Sequence, residues 1–191
     1  MRNRLLICMM LLGSAAMVYG QGPWDIAKTS IEGKRVAIEY GRPRLSGRDL
    51  ADLMKMLPPD RIWRAGAGAV TILTTEADLT IGGKKVPAGN YSLYMHCPEK
   101  GDYALIVNRV ISEPAENPLP KPNSDRSNRP YPHFMDYSFI AKEEVVRVPL
   151  KQGTAPRMEA LLYDFEPSGQ GALLIMRWGV QSWTVGFLPA K

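Results

Sequence analysis

VTILTTEADLTIGGKKVPAGNYSLYMHC, residues Val70–Cys97, is the stretch that decides the fold. Val70 to Thr75 is rich in β-branched residues, which suit the half-buried surface of a strand. Leu79 and Ile81 then lead into Gly82-Gly83, a pair suited to the positive φ angles of a tight hairpin turn. Pro87-Ala88-Gly89-Asn90 is a second turn signal, of type I. Beyond it Tyr91, Leu93, Met95 and Cys97 alternate with Ser92, Tyr94 and His96, the two-residue period of a strand. Strands joined this closely are antiparallel.

The same pattern extends both ways. After Lys100-Gly101, Tyr103, Leu105 and Val107 alternate; further strands are predicted over 144–150, 158–165, 172–178 and 180–187. In the last, Trp183, Val185 and Phe187 share one face. Upstream, Val36, Ile38 and Tyr40 point one way from a strand that Gly41 and Pro43 end. One helix interrupts the series. Leu50, Leu53, Met54 and Leu57 recur at helical spacing over 46–57, with Ser46 as the cap and Asp49 in the first turn, and Pro58-Pro59 as the stop. About nine short strands and one short helix predict an all-β fold, an antiparallel β-sandwich. No repeat with a period of tens of residues suggests a solenoid or propeller.

The N-terminus has a different composition. Arg2 and Arg4 precede an apolar run from Leu5 to Met17, and Gly20 supplies a small residue before Gln21. This is the pattern of a signal peptide over residues 1–20, too short to span a bilayer as a helix. Export to the periplasm or the medium is the expectation, with no membrane span after cleavage. Residues 21–34 read as a lead-in to a single domain over 35–191. Removing Arg2 and Arg4 takes the formal charge from +5 to +3, and without a Lys/Arg run nucleic acid is not an expected partner. Cys8 falls in the signal, so Cys97 is left without an internal disulfide partner and reads as a small buried hydrophobe. Six prolines between Pro114 and Pro132 make 112–138 a long loop without regular structure.

Several chemistries lack their residues. Two histidines, His96 and His133, and one mature cysteine make neither a three-histidine metal centre nor a zinc site, and no cofactor is expected. Gly66-Ala67-Gly68 leads into a strand, not a helix, and is not a phosphate loop; no nucleophile elbow occurs.

What stands out is the concentration of arginine and aromatic residues between Val36 and Thr71. Tyr40, Arg42, Arg48, Trp63 and Arg64 flank strand ends and turns; at one rim of a sandwich they would form a ligand site. Guanidinium groups hold carboxylate, sulfate or phosphate, and aromatic faces stack on sugar rings or on arginine. The same residues would equally pin the two sheets, with Arg64 paired to an acid such as Glu39 or Asp164 and Trp63 plugging the core.

The run Tyr-Gly-Arg-Pro, Gly-Arg, Ile-Trp-Arg-Ala-Gly-Ala and then Leu-Thr-Ile-Gly-Gly-Lys-Lys-Val-Pro-Ala-Gly-Asn-Tyr-Ser-Leu resembles the DUF2911 family of exported bacterial proteins. The likeness covers Ile31 to Val107 and, more weakly, Val145 to Leu188. It implies shared residues at Tyr40, Arg42, Pro43, Gly47, Arg48, Trp63, Arg64, Gly66, Pro87, Gly89 and Tyr91, and no activity. Two departures stand out: Gly68-Ala69 replaces a pair that is commonly Asn-Glu, and the proline-rich stretch replaces a shorter segment that often carries Trp-Gly.

Three functions fit this sequence. The first is noncatalytic binding of a small anionic or carbohydrate ligand at the Tyr40, Arg42, Arg48, Trp63 and Arg64 rim. The second is a structural or protein-interaction module of the envelope. The third is a hydrolase using carboxylates such as Asp60, Glu76 or Asp78, although no spacing selects them.

Overall fold

The computed structural model describes residues 24–111 and 137–191. The signal segment, His133 and nearly all of the proline-rich stretch lie outside the described residues.

Two antiparallel sheets form a sandwich. The strands are β1 (Trp24–Ile31), β2 (Lys34–Gly41), β3 (Ile62–Trp63), β4 (Thr71–Thr75), β5 (Leu79–Ile81), β6 (Lys84–Val86), β7 (Gly89–His96), β8 (Ala104–Asn108), β9 (Glu144–Pro149), β10 (Lys151–Ser168) and β11 (Gly171–Pro189). A helix, α1 (Leu50–Lys55), lies between β2 and β3. The larger sheet runs β1-β2-β4-β7-β8-β9, with β3 paired to β7; the smaller runs β10-β11-β5-β6. Val36, Ile38, Leu73, Leu93 and Leu105 of the larger sheet meet Leu79, Ile81, Leu174, Met176 and Phe187 of the smaller in one buried core. Removing this apolar surface from water is the main driving force for joining the sheets.

Local signals are realised where they are strongest. Gly82 and Gly83 have φ angles of 53° and 85°, and they join β5 to β6 with Ile81 opposite Lys84. On α1, Leu50 and Met54 are buried, and Leu53 and Leu57 pack partly against the core. The helix is shorter than its sequence pattern. Ser46 does not cap it. Ser46 and Gly47 adopt φ angles of 51° and 77° in a turn closed by the Arg48 amide on the Leu45 carbonyl at 3.1 Å. Leu45 is buried and its amide bonds the Glu159 carbonyl at 2.8 Å, so the chain stays extended that far. The N-cap is therefore Asp49.

Three features differ from the sequence reading. Part of the lead-in, Trp24–Ile31, is edge strand β1, joined to β2 through Glu32-Gly33 with φ angles of 53° and 76°. Its less exposed side carries Asp25, Ala27, Thr29 and Ile31, of which only Ala27 and Ile31 are buried, so its alternation is faint. Second, Lys151–Pro156 continues β10, and Gly179 does not break β11. Gly179, at φ 59°, pairs with Met158 between two register shifts that each set three residues of β10 against one of β11. Such bulges bend a ribbon without ending it. Third, β7 is buried on both faces. Ile62, Val70, Tyr94, Ile106, Tyr137 and Ile140 form a second core, to which the single-turn helices Tyr137–Phe139 and Ala141–Glu143 bring Tyr137 and Ile140.

Candidate functional site

The arginine–aromatic residues are placed by β2, β3 and the bulged part of β10. From Arg42 to Leu45 the chain runs antiparallel to residues 159–161: Arg44 bridges Ala160, and the Leu161 amide donates to the Pro43 carbonyl at 3.0 Å. Arg42 sends Nε to the Leu161 carbonyl at 3.0 Å, and its Nη1 lies 3.3 Å from Asp25 Oδ2. Tyr40 is fully buried. Its hydroxyl accepts from the Tyr163 amide at 3.0 Å and faces Asp25 Oδ2 at 3.4 Å.

A knot of hydrogen bonds continues from there. The hydroxyls of Tyr163 and Thr71 both donate to the Ala65 carbonyl, at 2.7 and 2.9 Å. Ala65 sits at φ 56°, a left-handed conformation that costs a non-glycine residue about 1–3 kcal/mol and persists only when its surroundings hold it. Trp63 donates Nε1 to the Gly66 carbonyl at 3.1 Å and stacks on Trp178 across the sandwich, with centroids 5.4 Å apart. The Ala67 amide returns to the Gly41 carbonyl at 3.1 Å. Tyr40, Trp63 and the glycines around them thus pin the sheets together.

The five residues do not share one bonded cluster. Tyr40 and Arg42 both engage Asp25 and β10. Trp63 belongs to the core side of β3. Arg48 is exposed and returns Nε to the Leu45 carbonyl at 3.0 Å. The charge of Arg64 acts on the hydroxyl of Tyr94, which belongs to the second core on the far face of the sheet. Asp164 pairs with Arg177 at 3.6 Å. The carboxylates considered for hydrolysis each brace a backbone amide: Asp60 that of Ile62, Glu76 that of Arg35 and Asp78 that of Ala88.

These contacts separate two arginines by consequence. Arg42→Ala removes a partly buried bond to a backbone carbonyl and should cost about 1–3 kcal/mol. Arg48→Ala should stay within about 1 kcal/mol, as an exposed contact does. Urea denaturation of both variants checks this, and equal losses would contradict it.

A cleft of about 710 Å³ opens close by, between α1 and the long hairpin. Asp49, Leu50, Ala51, Met54 and Lys55 form one wall. Gln152, Arg157, Val180, Gln181 and Trp183 form the other, with Arg61, Glu99 and Tyr103 at one end. Gly179 makes the wall possible, because a Cβ there would press within 3.2 Å of Leu50 Cβ. The floor is aromatic: Tyr103 stacks nearly parallel on buried Trp183, with centroids 5.7 Å apart and planes at 13°. Trp183 Nε1 is buried without a hydrogen-bond partner among the described residues. Arg61 is held at the end by Nε on the Cys97 carbonyl at 3.0 Å. Arg157 Nη1 meets Asp49 Oδ1 at 3.5 Å across the mouth. None of the five sequence-stretch candidates lines this cleft, although Arg48 adjoins Asp49 in the chain. Trp183 carried a visible strand signal. Gln152 and Arg157 did not, because their segment shows no clear alternation.

Burial governs the titratable groups. Burial pushes the Cys97 thiol up to about 12 against the opposing field of Arg61. Burial likewise raises the Tyr103 hydroxyl, and it lowers His96, helped by Arg147. Tyr40 rises from 10.0 to about 12, chiefly by burial, and burial also raises Tyr94, Tyr137 and Tyr163. The folded state therefore retains phenolic protons that the unfolded chain releases above about pH 10. This stability is fully present below that pH and is lost as pH climbs through about 12 for Tyr40. In a titration at 295 nm these four tyrosines should ionise only with unfolding, which circular dichroism would detect in the same samples. Full tyrosine ionisation with the fold intact would contradict the burial.

Among the described residues, no group of three or more His, Cys, Asp or Glu could hold a metal ion, and no helix is long and apolar enough to cross a membrane. No curated protein and no solved structure matches the chain significantly. A family model does, over residues 22–187, which takes in β1 and most of the lead-in as well as the residues of the knot and the cleft. The chain belongs to the family described as Protein of unknown function (DUF2911).

Proposed function

We propose that the chain is an exported, noncatalytic binding domain whose ligand, a small anionic or carbohydrate molecule, lies in the cleft between α1 and the long hairpin. The observation that carries this is the cleft itself. Apolar and aromatic Leu50, Met54, Tyr103 and Trp183 line it together with the polar Arg61, Arg157, Gln152 and Gln181. Its volume of about 710 Å³ falls in the range of small-molecule sites. The arginine–aromatic stretch serves this site from behind. Trp63 ties β3 to Trp178, Tyr40 and Arg42 hold Tyr163 and Leu161 at the second register shift of β10, and Arg157 lies in the neighbouring first shift. Export is supported by the basic start, apolar run and small residue of positions 1–20. The structural role of Tyr40 and Trp63 also favours a second reading, an envelope module in which these residues maintain the fold alone.

The readings part on ligand-induced stabilisation. Simple mono- and disaccharides, sulfate and phosphate are titrated into the protein and its melting is followed. A probe at a hundred times its Kd should stabilise by about 2.7 kcal/mol, several degrees for a domain of this size. Ala51→Trp, at an exposed position of the wall, should abolish the shift by filling the mouth. No shift with any probe favours the structural module, and a shift that survives Ala51→Trp means that the ligand binds outside the cleft.

A further inference from the structure

We infer that the cleft selects an acidic sugar, a ring bearing a carboxylate, and that this carboxylate exchanges with Asp49 on Arg157. The inference rests on the reading of the cleft as a small-molecule site and goes further by naming the ligand class and the residue that discriminates it.

The floor speaks for a ring. Tyr103 is half-buried and lies flat against Trp183, so a sugar's C–H face has an aromatic plane to cover. Trp183 is 1% exposed, and its Nε1 has no hydrogen-bond partner among the described residues. At that burial Trp183 backs Tyr103, and Tyr103 is the aromatic ring within reach of a ligand. Gln152 lies opposite Trp183 in the hairpin register, and Gln181 is two residues before Trp183. Both side chains are amides that donate and accept, as ring hydroxyls require.

The rim speaks for the acid. Lys55, Arg61 and Arg157 face Asp49 and Glu99, one positive charge in excess. Two of the cations are engaged elsewhere: Lys55 Nζ lies 2.9 Å from Asp52, and Arg61 Nε bonds the Cys97 carbonyl. Arg157 differs. It lies between the pairs Thr154–Gln181 and Met158–Gly179, where three residues of β10 face only Val180. Out of the ladder, it reaches over the mouth to a carboxylate already present in the chain. That contact is long, 3.5 Å, between side chains 54% and 74% exposed. Such a pair is weak. A ligand carboxylate held in place by its own stacked ring can replace Asp49 and use the guanidinium fork in full.

The test titrates glucuronate against glucose, galacturonate against galactose, and inorganic sulfate, into the protein and into Arg157→Gln and Asp49→Asn. Both substitutions are at exposed positions, and asparagine is as good an N-cap as aspartate. Tryptophan fluorescence or calorimetry reads the affinity. Each uronate should bind about tenfold or more tighter than its neutral partner, the worth of one charged hydrogen-bond contact. Arg157→Gln should erase that difference by weakening the uronates far more than the neutral sugars. Asp49→Asn should tighten the uronates. Equal binding of acid and neutral sugars would overturn the selectivity while leaving the cleft a sugar site. Sulfate as tight as the uronates would overturn the sugar. A preference that survives Arg157→Gln would overturn the role of Arg157. Saturable binding by none of the probes would overturn the inference and the binding reading together.

Discussion

Replacing Gly41 by alanine is expected to unfold the protein at far lower denaturant than the wild type needs. Gly41 ends β2 where the chain carrying Ala67 crosses it, and the Ala67 amide bonds the Gly41 carbonyl at 3.1 Å. A Cβ on Gly41 would overlap the Ala67 carbonyl oxygen, which is backbone and cannot rotate away. Relief requires moving Ala65–Ala67, and that moves the Ala65 carbonyl away from both Tyr163 and Thr71. Overpacking a rigid site costs about 1–3 kcal/mol. Each hydrogen bond lost with it adds about 1 kcal/mol. A total of roughly 3–5 kcal/mol would lower the melting temperature by about 6–20 °C. Gly33→Ala is the contrast. Gly33 has φ 76° and no atom within 4 Å of its would-be Cβ, so it carries only the left-handed penalty. Its cost should be about 1–2 kcal/mol. If urea denaturation showed Gly41→Ala losing no more than Gly33→Ala, the knot would not be the close-packed junction described.

Asn108→Ala should be nearly as damaging, and on the opposite face of the sheet. Asn108 is fully buried. Its Nδ2 donates to the Tyr137 hydroxyl at 3.0 Å and to the Ile140 carbonyl at 2.8 Å, and its Oδ1 accepts from the Val110 amide at 2.8 Å. Ser92 Oγ donates to the Val110 carbonyl at 2.6 Å, so one polar network ties β7 and β8 to the chain returning at Tyr137. Truncation leaves the Ile140 carbonyl and the Val110 amide without this partner. At about 1–3 kcal/mol for each of the two stranded groups, the loss should be roughly 2–6 kcal/mol. Hydrogen exchange localises it. Protection should fall first in Tyr137–Glu143 and at Val110, with β5 and β6 following only at global unfolding. Uniform loss of protection, or none, would mean that the second core does not depend on Asn108.

The elements read correctly from sequence are those whose signals are local. Gly82-Gly83 is a turn wherever it sits between two apolar alternations, because glycine takes positive φ without steric penalty. The strand alternation of Leu93, Met95 and Cys97 and the helical spacing of Leu50 and Met54 bury those residues as expected. So does the reading of Cys97 as a small hydrophobe. Two cohesive sheets with a short helix follow from these alone. The helix boundary does not, since Leu45 is held extended by the carbonyl of Glu159, far along the chain.

What the sequence by itself determined, then, is the all-β sandwich, its Gly82-Gly83 turn and the family to which the chain belongs; Pro87-Ala88, read as part of a type I turn, is a bend from which β7 starts at Gly89. Only the tertiary structure decided what the arginines and aromatics touch. Tyr40 meets Tyr163 across 123 positions and Arg42 meets Leu161 across 119, and no local pattern records such partners. Only the tertiary structure made the cleft. It needs Gly179 to stay in β11, paired with Met158 between the bulges of β10, so that Leu50 can seat against it, and a bend in β10 that brings Arg157 to Asp49. Strand and turn signals are properties of a few neighbouring residues, set by sterics and burial on one face. A site is a property of where distant strands cross, and that depends on how bulges and twist accumulate along the whole hairpin.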